Sequence, residues 1–82
     1  MNKYLEIINF YGINHQLKKL SEEVFELQEA ILQKHDIEHI TEEFADVQVL
    51  LEQIRLMYGI SHENVEIIKK FKVERQLKRM KK

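Results

Sequence analysis

Residues 16–31 read QLKKLSEEVFELQEAI. Leu20, Val24, Leu27 and Ile31 recur at steps of four, three and four. That spacing marks one face of an α-helix, which advances about 100° per residue. The same stretch carries three acids in five positions: Glu22, Glu23 and Glu26. On a helical wheel Glu23 lies about 70° from the centre of the apolar stripe, with Glu26 further round the same side. Gln16, Lys19 and Ala30 share that flank, whereas Glu22 and Glu29 turn toward solvent. The segment predicts an amphipathic helix with a carboxylate pair on one shoulder.

A second block, HITEEFADVQVLLEQI at residues 39–54, repeats the arrangement. Ile40, Phe44, Val47, Leu51 and Ile54 form its stripe. Glu43 sits about 50° from the stripe's centre and Asp46 about 110°, while Glu42 faces outward. When two such apolar faces pack, their shoulders can meet, and Glu23, Glu26, Glu43 and Asp46 would converge on one site. Converging carboxylates repel, and burial raises the cost of each charge, so the cluster needs cations or protons. Oxygen donors without cysteine or a well-placed histidine suit a hard ion, Mg²⁺ first and Mn²⁺ as the alternative. A single acid-rich helix face is most often solvated surface; two on matching shoulders bring the metal reading level with that one, and periodicity goes no further.

The rest of the chain supports an all-α fold. There is no proline, and the only glycines are Gly12 and Gly59. A short helix is expected from about Lys3 to Tyr11, with Asn2 as its cap and Gly12 as its end. Asn14 would cap a second helix to about Lys34, and Asp36 in the KHD loop a third to about Tyr58. Gly59 would end the third helix and Ser61 cap a fourth. The final RMKK is expected to fray.

With 82 residues and no linker or repeat, the chain reads as one domain over 1–82. A chain this short has a modest core, so homo-oligomerisation is expected to supply further burial. No cysteine is present, which excludes disulfides and thiolate metal sites. The N-terminus lacks the layout of a leader, no apolar run is long enough to span a bilayer, and a cytoplasmic setting is expected. A net charge of −1 argues against bulk nucleic-acid binding. Charge is nonetheless segregated: the middle is acidic and the end, KKFKVERQLKRMKK, is basic. In the fourth helix Val65 and Ile68 begin a stripe that Lys72, Arg75 and Arg79 continue. Such cations either face inward, toward the acids or toward phosphates, or snorkel as a basic helix end that complements the macrodipole, the latter above all for Arg79.

The two blocks together resemble the MazG-like nucleotide pyrophosphohydrolases of the all-α NTP pyrophosphohydrolase superfamily. The shared pattern is E-E-x-x-E, a spacer, then E-x-x-D, here Glu22-Glu23-Val24-Phe25-Glu26 and Glu43-Phe44-Ala45-Asp46. The resemblance runs from about YGINHQ to KVERQL and is nearest to short, single-domain versions found in phages and in prophage-bearing bacteria. It implies a four-helix MazG-like bundle completed by homo-oligomerisation, as a homodimer or a tetramer. It implies Mg²⁺-dependent hydrolysis of a nucleoside triphosphate to the monophosphate and pyrophosphate. Glu23, Glu26, Glu43 and Asp46 fall on the metal-ligand positions, with Glu23 or Glu26 also orienting the attacking water. Lys72 and Arg75 fall near the basic pair that contacts substrate phosphates, and Gln16 near a polar position beside the base or ribose. The long inserts that shape base-specific pockets in dimeric dUTPases are missing, which leaves the base open.

The competing reading is a non-enzymatic helical module that oligomerises through its apolar stripes and binds a partner with its basic tail. Under it the acids are solvated. His39 shares a shoulder with Glu43, and Tyr4, Phe10 and Tyr11 are read first as core or dimer contacts. Phe25 points off the main stripe, and its exposure would support an oligomer interface.

Overall fold

The computed structural model describes residues 2–81. It contains four helices: α1 (Lys3–Tyr11), α2 (Ile13–Leu32), α3 (Ile37–Met57) and α4 (His62–Met80). Three of the expected caps are present. Asn2 Oδ1 accepts from the Tyr4 amide at 2.8 Å, Asp36 Oδ1 from His39 at 2.9 Å and Ser61 Oγ from Asn64 at 3.2 Å. Asp36 and Ser61 each satisfy one of the donors that a helix start leaves open, and Asn2 also accepts from Leu5 at 3.4 Å.

Asn14 does not cap α2. Gly12 alone joins α1 to α2: at φ 89° it turns the chain in one step, and its carbonyl accepts from Gln16 at 3.1 Å. A left-handed φ of this kind favours glycine. The second helix ends at Leu32 rather than Lys34, because Lys34 adopts φ 57°. The His35 amide reaches back to the Ala30 carbonyl at 3.0 Å and Lys34 to Ile31 at 3.1 Å. This is a Schellman-type ending, made with lysine where glycine is usual. Gly59 makes the same ending for α3, with Ile60 bonding back to Arg55 at 3.0 Å. At the far end α4 continues through Arg79 and Met80, where fraying was expected; Lys82 lies outside the described residues.

The helices α1, α2 and α3 pack against one another. Their buried apolar residues are few: Ile8, Ala30 and Leu50. On α2 the buried line is Gln16, Glu23 and Ala30, spaced by sevens and so nearly in register along the helix. On α3 it is Leu50 and Gln53, with Glu43 half-buried beside them. Both helices are therefore rotated away from the orientation their apolar stripes suggest. The acid-bearing shoulders face the neighbours, while the stripes are only half covered: Leu20, Val24, Leu27, Ile40, Val47 and Ile54 are half-buried, and Phe44 is 54% exposed, Leu51 49% and Ile31 54%. Phe25 is also exposed.

The fourth helix faces the three-helix body only at its start, where His62, Val65 and Lys69 share a cleft of about 460 Å³ with Leu51, Glu52 and Arg55 of α3 and Val65 is half-buried. Among the described residues, none of its Cα atoms lies within 8 Å of one in α1, α2 or α3, and it buries no residue. Its cations therefore do not face inward onto the acids of their own chain. The sequence of α4 accounts for this. Ile67, Ile68 and Phe71 lie on one side and Val73, Leu77 and Met80 about 160° away, so there is no single stripe to bury. The chain exposes 6956 Å², where a compact monomer of its mass exposes about 5,200 Å². Its radius of gyration, 15.5 Å, likewise exceeds the roughly 12 Å of a compact domain of this length. No helix among the described residues is long and apolar enough to cross a membrane.

Candidate metal centre

The packing of α2 on α3 brings Glu23, Glu43 and Asp46 together. One carboxylate oxygen from each lies within 4.8 Å of the others. Glu23 is 7% exposed, Glu43 half-buried and Asp46 exposed, so the trio runs from the interior to the rim. Glu26, the fourth expected ligand, is exposed and outside this set.

The near-side oxygens have partners. Glu23 Oε1 pairs with Lys19 Nζ at 3.3 Å, one turn earlier on α2. This hydrogen bond, with the attraction of the two charges, holds the Lys19 ammonium above the usual lysine value. Glu43 Oε1 lies 3.8 Å from His39 Nε2, again one turn away. The other oxygens, Glu23 Oε2 and Glu43 Oε2, are buried and accept no hydrogen bond. A buried carboxylate oxygen without a donor is costly, and a cation between the acids would remove that cost. The donor set is all oxygen, mixed in burial and open on one side, so these residues fit a hard divalent ion.

A cleft of about 520 Å³ opens from Glu23 and Asp46 toward α1. Its floor is polar. Gln16 Nε2 donates to Gln53 Oε1 at 2.9 Å, linking α2 to α3 in the interior, and Gln16 Oε1 lies 2.7 Å from His15 Nδ1. The Tyr11 ring stacks on His15 with centroids 4.9 Å apart, and Ile7 and Val49 give the walls apolar surface. Gln16 thus lies where the flank of Glu23 placed it. Gln53 was not singled out from sequence. Its signal was there, since positions 43, 46, 50 and 53 follow one line of α3.

Lys72 and Arg75 lie on the outlying α4, beside Ile68 and Phe71 on a shallow strip formed by that helix alone. The structure therefore unites three of the four expected acids and leaves the two expected phosphate ligands away from them within one chain. The chain matches no known family model, no curated protein and no solved structure.

Proposed function

We propose that this chain is a Mg²⁺-dependent nucleoside triphosphate pyrophosphohydrolase acting as a homodimer or a tetramer. The observation that carries the reading is the meeting of Glu23, Glu43 and Asp46 with two buried carboxylate oxygens lacking donors. The motif resemblance gives it a reaction, and the adjoining cleft is of a size that suits a nucleotide.

Glu23, Glu43 and Asp46 would hold the ion, with Mn²⁺ as its alternative. The ion would supply Lewis-acid stabilisation of the triphosphate charge. Glu26, exposed one turn beyond Glu23 on α2, is free to orient water and accept its proton. The water oxygen bonds to the α-phosphorus, the bond from that phosphorus to the bridging oxygen breaks, and pyrophosphate leaves. Lys72 and Arg75 would stabilise the charge on the departing group. Tyr11 and His15 offer a flat surface for the base, and Gln16 a polar edge. The half-exposed stripes of α2 and α3 are the surfaces through which copies would associate.

The test is a panel of nucleoside triphosphates with Mg²⁺, reading pyrophosphate release and the nucleotide product. Monophosphate and pyrophosphate in equal amounts are expected, with turnover lost in Glu43→Ala and Asp46→Ala. Undiminished turnover in both folded variants would remove the metal assignment. No product from any nucleotide, with no change of melting midpoint on adding Mg²⁺, would favour the non-enzymatic module.

A further inference from the structure

We infer that Lys19 is a two-position cation. It neutralises Glu23 while the acid cluster holds no metal, and it turns to the substrate's phosphates once the ion is bound. The inference rests on the proposed function and adds to it a phosphate ligand supplied by the same chain.

Three observations carry it. First, Lys19 stands where the acids meet the open cleft. Its Nζ lies 3.3 Å from Glu23 Oε1, and the residue also lines the cleft of about 520 Å³ with Glu23 and Asp46. Among the described residues lining that cleft it carries the one ammonium, whereas Lys72 and Arg75 line a separate strip on α4. A triphosphate entering beside Glu22, Glu23 and Asp46 sets its own negative charge against theirs. A cation on that wall, in addition to the ion, offsets the repulsion.

Second, the ion pair is built to open. The side chain of Lys19 is 48% exposed and that of Glu23 9%. Rotation about the four-carbon stem of lysine therefore moves the ammonium without displacing packed atoms. Lysine four residues before glutamate is the weaker order for a helical pair. Lys19 also lies in the N-terminal half of α2, where the helix dipole does not favour a cation. The helix itself gains little from this pair, so the placement of Lys19 answers the acid.

Third, the space to which it turns is already basic. Beside the cleft lies a recess of about 120 Å³ lined by His15, Lys18, Lys19 and Glu22. Lys19 borders both spaces, and Lys18 brings a second ammonium to the same mouth.

The exchange follows from the charges. Glu23 Oε2 is buried without a donor, and Oε1 has Lys19. A divalent ion on Glu23 draws on the same carboxylate charge and repels the ammonium. Lys19 then recovers charge-assisted hydrogen bonds by meeting phosphate oxygens. Lysine and metal compete for Glu23, while lysine and triphosphate cooperate.

Lys19→Met keeps the length of the stem and removes the ammonium, so the two effects separate by sign. In calorimetric titration with Mn²⁺ alone, the variant is expected to bind the ion about two- to fivefold more tightly, the worth of an exposed ion pair. At saturating Mn²⁺ it is expected to bind inorganic tripolyphosphate about tenfold more weakly, the loss of one charged hydrogen bond. Lys19→Arg should stay near the native chain in both titrations. Lys18→Met makes the same change of charge without the contact to Glu23, and its Mn²⁺ binding should stay near native. With a nucleoside triphosphate, Lys19→Met should raise KM more than it lowers kcat.

Helicity by circular dichroism confirms that the variant is folded. Unchanged Mn²⁺ affinity in folded Lys19→Met would overturn the inference, as would native-like binding of tripolyphosphate. Both affinities falling together would mean that Lys19 only holds Glu23 in place, and would overturn it as well. A native chain that binds Mn²⁺ but no tripolyphosphate removes the inference and leaves the metal centre. A native chain that binds neither removes the proposed function and the inference with it.

Discussion

Glu23 and Glu43 face each other across the α2–α3 interface, and each buries a carboxylate oxygen that accepts no hydrogen bond. The body of the molecule is thus built around a polar requirement as much as an apolar core. Only Ile8, Ala30 and Leu50 are buried apolar residues among those described. The interface is stable to the extent that something answers the acids.

Glu43→Gln removes one of three neighbouring negative charges. In metal-free buffer the variant is expected to melt higher than the native chain. A gain of about 1 kcal/mol corresponds to a rise of about 4–8 °C for a domain of this size. Adding Mg²⁺ should raise the native midpoint and leave that of the variant nearly unchanged. Differential scanning calorimetry with and without the ion checks both halves. A variant less stable than the native chain without metal would show that repulsion among the acids is not what limits stability.

The buried amide pair gives a second expectation. Gln53→Leu strands the Gln16 amide, at a cost of about 1–3 kcal/mol. Gln16→Leu together with Gln53→Leu replaces both partners by apolar groups and should recover part of that loss. Urea unfolding of the singles and the double forms a cycle whose coupling measures the 2.9 Å hydrogen bond. Additive losses would mean that the pair contributes nothing as a pair.

The two Schellman endings make opposite predictions. Lys34 holds φ 57° with a side chain that disfavours it. Lys34→Gly is expected to stabilise the chain by about 1 kcal/mol, since the left-handed strain exceeds the entropy that glycine adds to the unfolded state. Gly59→Ala, at φ 64°, should destabilise by a similar amount, about 1 kcal/mol. Chemical denaturation of both variants compares them directly.

Glu52 provides a pH dependence. Its hydrogen bonds from Arg55, with Nε at 3.0 Å, hold the carboxyl below its ordinary value. A carboxyl lowered in the folded state stabilises the fold above its unfolded value, and that contribution disappears as pH falls through the lowered one. Glu52→Gln should therefore be less stable than the native chain near neutrality, with the difference closing on acidification. A difference that is constant with pH would mean the ion pair is not its source.

The sequence was legible where local chemistry decides the outcome. Helix number and the bounds of α1, α3 and α4 followed from Asn2, Gly12, Asp36, Gly59 and Ser61, whose effects do not depend on distant neighbours. The turn at Lys34 was not legible, because lysine carries no signal for a left-handed conformation. The rotation of α2 and α3 was missed for a related reason. Hydrophobic periodicity assigns the inside of a helix to its apolar stripe, yet here Gln16, Glu23 and Ala30 on α2 and Glu43, Leu50 and Gln53 on α3 meet instead. A regular line of amides, acids and a small residue was as strong a pattern as the apolar one. The acids themselves were readable as a site because both blocks place a pair at i,i+3 on one shoulder. Glu26 lies outside the trio because that rotation turns it to solvent.

The bonds that aim α4 are made between residues 52 and 60, through Arg55, Gly59 and Ile60. None of them involves the outer turns of α4. The direction of the helix is therefore set locally, so little chain entropy remains to be lost when its outer surface is covered. A substitution at Arg55, remote from Lys72 and Arg75, would free the helix to swing by loosening the hinge.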